Sequence, residues 1–371
     1  MKNHLSILLL NALLFACGPP AVKQYSPLDT AENHYLQGLV FLDDNQLLQA
    51  ERAFERARSL DDDYPGSFVG MALVRAHRGD FHEARKQVEE ALRRDRQYLD
   101  AYVGLGRVIT AEGVALGRQR KTWLAEAEDA FKKAERLNNQ NMAVYWYWGQ
   151  AYVSANDLPN AKVQFDKILS NGRGPWVEKA LVEVENLQKV ERGAPGSRLG
   201  GDIGLKPSIT RAELAVLLVE ELKLPELVAK RGRPSASQNV MLPTDVETSW
   251  ARAWINSTLQ LGIHGLEVYP DGNFYPDNHL TRAQYAQVGQ SILILLSGDR
   301  NLSTRYIGEE SRFPDVRSDF YAYNAIVLCL ERGLLKIADR RTGTVEPNGT
   351  VSGADVLLAI RELQNAFRME Y

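Results

Sequence analysis

One five-residue phrase occurs three times at equal spacing. Ile209-Thr210-Arg211-Ala212-Glu213 returns as Leu280-Thr281-Arg282-Ala283-Gln284, and again, without the arginine, as Val351-Ser352-Gly353-Ala354-Asp355; each copy lies 71 residues after the one before. A spacing held twice means a repeated structural unit, and that limits the possible folds more than composition does. Each copy reads as a helix start. Thr or Ser is the N-cap, an acid or amide at the third helical position reaches back, and an apolar residue before the cap faces one in the next turn (Ile209 with Leu214, Leu280 with Tyr285, Val351 with Val356).

Helix capping leaves the arginine unexplained. A cation in a first helical turn opposes the macrodipole by about 0.3–1 kcal/mol. Two readings follow for Arg211 and Arg282. Beside free N-terminal amides, a guanidinium makes a carboxylate or phosphate site; alternatively, each arginine pairs with a neighbouring acid. Gly353 in the third copy predicts a weak or absent third site.

A second period runs through the first half of the chain. Small residues at Gly38, Ala72, Gly106 and Gly149 are followed by Ala50, Ala84, Ala127 and Ala161, and then by Phe54, Val88, Phe131 and Phe165. The interval is 34 residues apart from one of 43, whose surplus falls around Gly113 to Trp123. The basic residues Arg118, Arg120 and Lys121 of that insert read as a solvated loop, or as a contact for lipid headgroups or an acidic partner. This pattern resembles the tetratricopeptide repeat, in which small residues let two helices approach and an aromatic fills the gap to the next hairpin. Four repeats cover residues 31 to 174, and an amphipathic run from Pro175 to Arg192 reads as the capping helix.

The resemblance implies a concave face lined from the first helix of each hairpin. Three positions before each small residue and one after it lie Tyr35 and Leu39, Val69 and Leu73, Val103 and Arg107, Trp146 and Gln150. Such a face is mostly apolar, with one cation and one large aromatic, and suits an extended or helical peptide. Trp146 reads as its anchor, or as core within the dense run Tyr145 to Trp148.

Residues 193–204 are rich in glycine and read as a linker. Beyond them, Asp245-Val246 aligns with Asp315-Val316, Trp250 with Phe320, Ile255 with Ile326, and Gly272-x-Phe274-x-Pro276 with Gly343-x-Val345-x-Pro347. These units resemble the S-layer homology domain. The middle one matches nearly throughout, the last has lost its arginine, and the first keeps only its second half, so its initial helix is either missing or supplied from elsewhere. The resemblance implies a pseudo-threefold helical domain over residues 205–371 with ligand grooves between units. It also implies cell-wall-polymer contacts from Arg211, Arg282, Thr210 and Thr281. Trp250 either stacks on a sugar or is core.

The first stretch combines Lys2, an apolar run from Leu5 to Ala16 and the ending Leu14-Phe15-Ala16-Cys17. The run is too short to span a bilayer and suits an export signal. The ending resembles a lipobox. On that resemblance residues 1–16 are a lipoprotein signal peptide, Cys17 is lipidated, and residues 17–30 are a tether, while Gly18 points to the outer membrane facing the periplasm. An ordinary signal peptide without lipid is the alternative. Cys329, the other cysteine, sits in an apolar run and reads as a small core residue.

A chain of 371 residues, 44% hydrophobic with a net charge of −3, predicts two or three domains and no nucleic-acid partner. His4, His34, His77, His82, His264 and His279 form no metal spacing, and no cofactor or catalytic constellation stands out. The fold expected is mainly α, a tetratricopeptide-type solenoid followed by an S-layer-homology-like domain. The function expected is that of a non-enzymatic envelope lipoprotein that holds a wall polymer with its C-terminal domain and a protein with its solenoid. The alternative is a pilotin-like assembly or secretion accessory in which the solenoid is the active part.

Overall fold

The computed structural model describes residues 24–170, 172–231 and 242–368; Cys17 and its signal lie outside them. Among the described residues the chain is helices and turns, with three isolated antiparallel bridges. It divides into two units, Met1–Leu181 and Val182–Tyr371.

The first unit is a series of helical hairpins: α1 (Ala31–Asp43) with α2 (Leu47–Leu60), α3 (Pro65–His77) with α4 (Phe81–Arg94), α5 (Leu99–Ala115) with α6 (Arg120–Leu137), and α7 (Met142–Ser154) with α8 (Leu158–Leu169). The pairing of small and large residues sets the helix separation. A Cβ on Gly106 would stand 2.5 Å from the Phe131 ring, and one on Gly149 would stand 2.5 Å from Phe165. Phe54 presses in the same way on both Gly38 and Gly70. Repeat two keeps the sum constant, with Ala72 opposite the smaller Val88. All four second-helix alanines are fully buried. This is the tetratricopeptide-type solenoid that the spacing predicts.

The 43-residue interval lengthens α5 and α6 instead of making a loop. Gly113 and Trp123 repeat the small-against-aromatic contact one level further along the hairpin. Arg118 donates to Glu112 and Glu126, both at 3.0 Å, and Arg85 binds the same two acids. Arg118 therefore belongs to a four-residue ionic network, which corrects the reading of this cluster as a solvated loop.

Helix α9 (Pro175–Gly193) begins in the first unit and ends in the second. In the second unit follow α10 (Arg198–Gly204), α11 (Arg211–Glu220), α12 (Leu224–Lys230), α13 (Thr244–Glu247), α14 (Arg252–Gln260), α15 (Arg282–Ser297), α16 (Tyr323–Glu331) and α17 (Gly353–Arg368). Residues 193–204 are not a free linker. Ser197 caps α10 by accepting from Gly200 N–H at 2.9 Å, and the buried Glu221 carboxylate accepts from the backbone N–H groups of Gly196 and Ser197 at 2.7 and 3.0 Å.

The 71-residue register also reaches further back than the phrase. Ala180, Ala251 and Ala322 are equivalent and buried, as are Val184, Ile255 and Ile326, and Leu187, Thr258 and Cys329. The end of α9 is thus the initial helix of the first S-layer-homology-like repeat, so of the two alternatives left by the sequence the helix is supplied, by the segment that reads as the solenoid cap, and not missing. It packs on α17, as Lys189 to Asp355 at 3.4 Å and the Gly193 contact with Leu357 show. In the same way α14 packs on α11 and α16 on α15. The phrases close the ring. Ile209 N–H donates to Val351 O, and Leu280 N–H to Ile209 O, both at 3.0 Å, while Thr210 bridges His279 and Thr281 bridges Thr350. Three apolar residues, Ile209, Leu280 and Val351, are buried where the three helix starts meet.

Candidate functional site

All three caps form as the sequence predicts. Thr210 and Thr281 build capping boxes with Glu213 and Gln284, and the Ser352 hydroxyl accepts from Asp355 N–H at 3.1 Å. The threonine hydroxyl oxygens accept there from the Glu213 and Gln284 N–H groups, so Thr210 and Thr281 serve as the caps of their helices.

Arg211 is 1% exposed. Its Nε donates to Phe274 O at 2.9 Å, Nη1 to Gly265 O at 2.8 Å and Nη2 to Glu267 O at 2.7 Å, while the Tyr269 and Phe274 rings flank the guanidinium at 4.8 and 4.5 Å. Arg282 repeats the grip one unit on, with Nε to Val345 O at 2.5 Å and Nη2 to Lys336 O. Each arginine therefore ties the start of one unit's helix to the glycine-rich turn of the next. Burial presses both guanidinium pKa values down, and nearby Glu267 and Asp245 (Arg211) or Asp355, Glu346 and Asp315 (Arg282) oppose the shift. Neither alternative from the sequence is what the structure uses: the partners are backbone carbonyls, and acids already surround the charge. The expectation that these arginines present a surface anion site is corrected.

The turns that receive the arginines are shaped by the Asp-Val aspartates. Asp245 accepts from Phe274 N–H at 3.0 Å and Tyr275 N–H at 2.6 Å; Asp315 accepts from Val345 N–H at 3.0 Å and Glu346 N–H at 2.7 Å. Tyr275 and Glu346 hold the left-handed conformation at φ 56° and 54°. The carboxylate compensates for this strain by satisfying both amides.

Trp250 is 52% exposed, against the core reading. Its ring leans on Trp254, centroids 6.0 Å apart, and the Trp254 indole N–H donates to Glu220 at 2.8 Å from α11. Seventy-one residues on, Tyr321 is 67% exposed and packs on Phe320 with centroids 4.5 Å apart. Two supported, solvent-facing rings at equivalent positions make apolar platforms with hydrogen-bonding edges, the chemistry that takes a sugar face. The sequence pairing of Trp250 with Phe320 was one residue off the structural register.

In the first unit, a groove of about 420 Å³ runs across the first helices. Tyr35, Leu39, Val69, Leu73, Val103 and Arg107 line it as expected, together with Leu36 and Val40 of α1. Trp146 and Gln150 do not. Trp146 packs on Phe165 and Trp176 at 5.5 and 6.0 Å, and Tyr147 and Trp176 supply the aromatic wall instead. The reason is the arrival of α9 beside α7, whose Trp176 packs against the partly buried Trp146 ring. Arg107 stacks on Tyr147 at 4.0 Å. The Tyr35 hydroxyl donates to Asp100 at 3.1 Å, and burial pushes the Asp100 carboxyl up.

Residues 244–286 match the S-layer homology domain. The match spans the Asp245 turn, α14 with Trp250 at its entry, the Asp245-shaped Tyr275 turn and the second phrase. No curated protein matches the chain. Among solved structures, a thermophilic tetratricopeptide-repeat protein of Thermus thermophilus aligns at 20% identity and a TM-score of 0.37, covering 54% of this chain and 97% of that one. Among the described residues, no helix is long and apolar enough to cross a membrane.

Proposed function

We propose that this chain is a non-enzymatic envelope protein that grips a cell-wall polymer with its second unit and a protein segment with the groove of its first. The observation that carries the reading is the coincidence of the S-layer homology match with the solvent-facing Trp250 ring, backed by Trp254 and Glu220. A half-exposed tryptophan held by its own hydrogen-bonded neighbour is pre-ordered, so stacking a sugar on it loses little side-chain freedom. The groove supports the second half of the reading: an apolar floor between Arg107 on one side and the Lys179–Asp43 pair (3.1 Å) on the other takes an amphipathic segment. Anchorage through a lipidated Cys17, and from it an outer-membrane location, completes the proposal on the sequence alone.

Purified sacculi test the polymer half. The full chain sediments with them, and Trp250→Ala with Tyr321→Ala reduces the bound fraction about tenfold while the melting temperature stays within a few degrees, since both rings are exposed. Undiminished binding overturns the assignment.

A further inference from the structure

The groove of the first unit takes its lining from α1, α3, α5, α7 and the start of α9. In a solenoid each repeat touches its neighbours, so the first and last of these helices, four hairpins apart, meet only where side chains cross the groove. Lys179 and Asp43 do so. The Lys179 ammonium of α9 donates to the Asp43 carboxylate of α1 at 3.1 Å, and both residues line the cavity.

The pair is placed for that crossing and not for its own helices. Asp43 is the last residue of α1, where the macrodipole disfavours an acid. Lys179 lies 71 residues before Trp250, at the register position that carries an exposed ring in Trp250 and again in Tyr321, so a cation stands here in place of a ring. The two side chains are 46% and 42% exposed, which makes the pair weak: it holds the closed form over the open one by a ratio of up to about five. Lys179 also has a second resting place. Its ammonium lies 5.1 Å from the Trp176 ring and 5.9 Å from the Trp146 ring, so an aromatic face still receives the charge when it leaves Asp43.

We infer that the Lys179–Asp43 pair is a clasp over the groove. Closed, it ties α1 to α9 and holds the groove narrow; open, it lets the two end helices part and admits the protein segment. The inference rests on the proposal that this groove holds such a segment.

Nitroxide labels on Gln37→Cys and Glu178→Cys, in the full chain with Cys17→Ser, read the distance from α1 to α9 by double electron–electron resonance; Cys329 is buried and stays unlabelled. The parent gives one narrow distribution in low salt. Asp43→Asn, or about 1 M salt in the parent, lengthens and broadens it, and the exchanged pair Asp43→Lys with Lys179→Asp restores it. Both partners are exposed, so the variants fold, and circular dichroism melts within a few degrees of the parent check this.

Entry is read in stopped flow with Nile red, a neutral apolar dye that the loss of one charge does not itself attract. It enters the Asp43→Asn chain up to about fivefold faster than the parent, and Leu36→Glu with Val40→Glu, both exposed in the groove, removes the signal. A distance unmoved by salt and by Asp43→Asn overturns the clasp, while dye that still enters leaves the groove reading standing. Equal entry rates in the open and closed chains overturn the clasp as well. A distance that opens while dye enters neither chain overturns the groove reading, and the gate with it.

Discussion

Gly353 lies directly against Ile203. A Cβ on Gly353 would overlap the Ile203 carbonyl oxygen and stand 2.7 Å from its carbonyl carbon and 2.9 Å from Gly204 Cα. Ile203 is the 71-residue equivalent of Phe274 and Val345, the residues whose carbonyls hold Arg211 and Arg282. In the first S-layer-homology-like repeat the glycine-rich turn is replaced by α10, whose backbone fills the place of the arginine stem. The absence of the arginine from the third copy of the phrase therefore has a structural cause. The glycine there is demanded by the helix it meets.

Restoring the phrase with Gly353→Arg should destabilise the second unit by about 3 kcal/mol or more, because backbone, and not a flexible side chain, stands in the way. Gly353→Ala should cost nearly as much. Thermal unfolding followed by circular dichroism reads both, and a variant as stable as the parent contradicts the close approach.

The two arginines differ in exposure, and their removal should differ accordingly. Arg211→Ala leaves two buried carbonyls and one part-buried carbonyl without this donor, at about 1–3 kcal/mol for each buried one before relaxation, so about 3–5 kcal/mol in total is expected. Arg282, half-buried with two such bonds, should cost about 1–2 kcal/mol. Denaturant midpoints check the order; a surface ligand role alone would leave both unchanged.

The small-against-large rule of the first unit predicts a compensating pair. Gly106→Ala drives a methyl into the Phe131 ring and should cost about 1–3 kcal/mol. Phe131→Val alone opens a cavity with a similar penalty. Combined, they reproduce the Ala72 and Val88 pairing of repeat two, and the double variant should be more stable than either single one. A double-mutant cycle that sums additively contradicts the rule.

Asp29 ties the residues before α1 to the solenoid. Its carboxylate is held well below the usual range, first by the Arg56 guanidinium, then by the Tyr25 backbone N–H, with His34 adding to it against the opposing effect of burial. A depressed folded pKa contributes stability above the unfolded value of about 4 and loses it as the pH falls through the folded one. Melting of the first unit should therefore drop below about pH 4, and Asp29→Asn should lower it at neutral pH while flattening that fall. A parallel pH profile in the variant excludes this tie.

Cys329 should be inert while the chain is folded. Burial pushes its thiol up to about 12, and its S–H donates to Ala286 O at 3.3 Å. In a Cys17→Ser background, a thiol reagent at pH 8 should label it only after denaturation.

Much of the organisation was legible because it is periodic. Small residues recurring every 34 positions fixed the solenoid, and a phrase recurring every 71 fixed the three helix starts, since close approach and capping each need particular residue types at particular points. The second half of α9 carried the same register, with Ala180, Val184 and Leu187 71 residues before their partners. It was hidden because one amphipathic face satisfies two readings, a solenoid cap and a first helix. Trp146 and Tyr147 are adjacent, and only the arrival of α9 decides which of them faces the groove.

By itself the sequence determined where helices start, which faces are apolar and how many units repeat, because those are local matters of caps, spacing and side-chain volume. The tertiary structure decided what the arginines are for. A guanidinium beside helix amides is equally suited to a ligand and to a neighbouring turn, and Arg211 became internal because the Asp245-shaped turn of the next unit brings three carbonyls to it first. The same proximity, with the backbone of α10 in place of a turn, is what leaves room only for glycine at position 353.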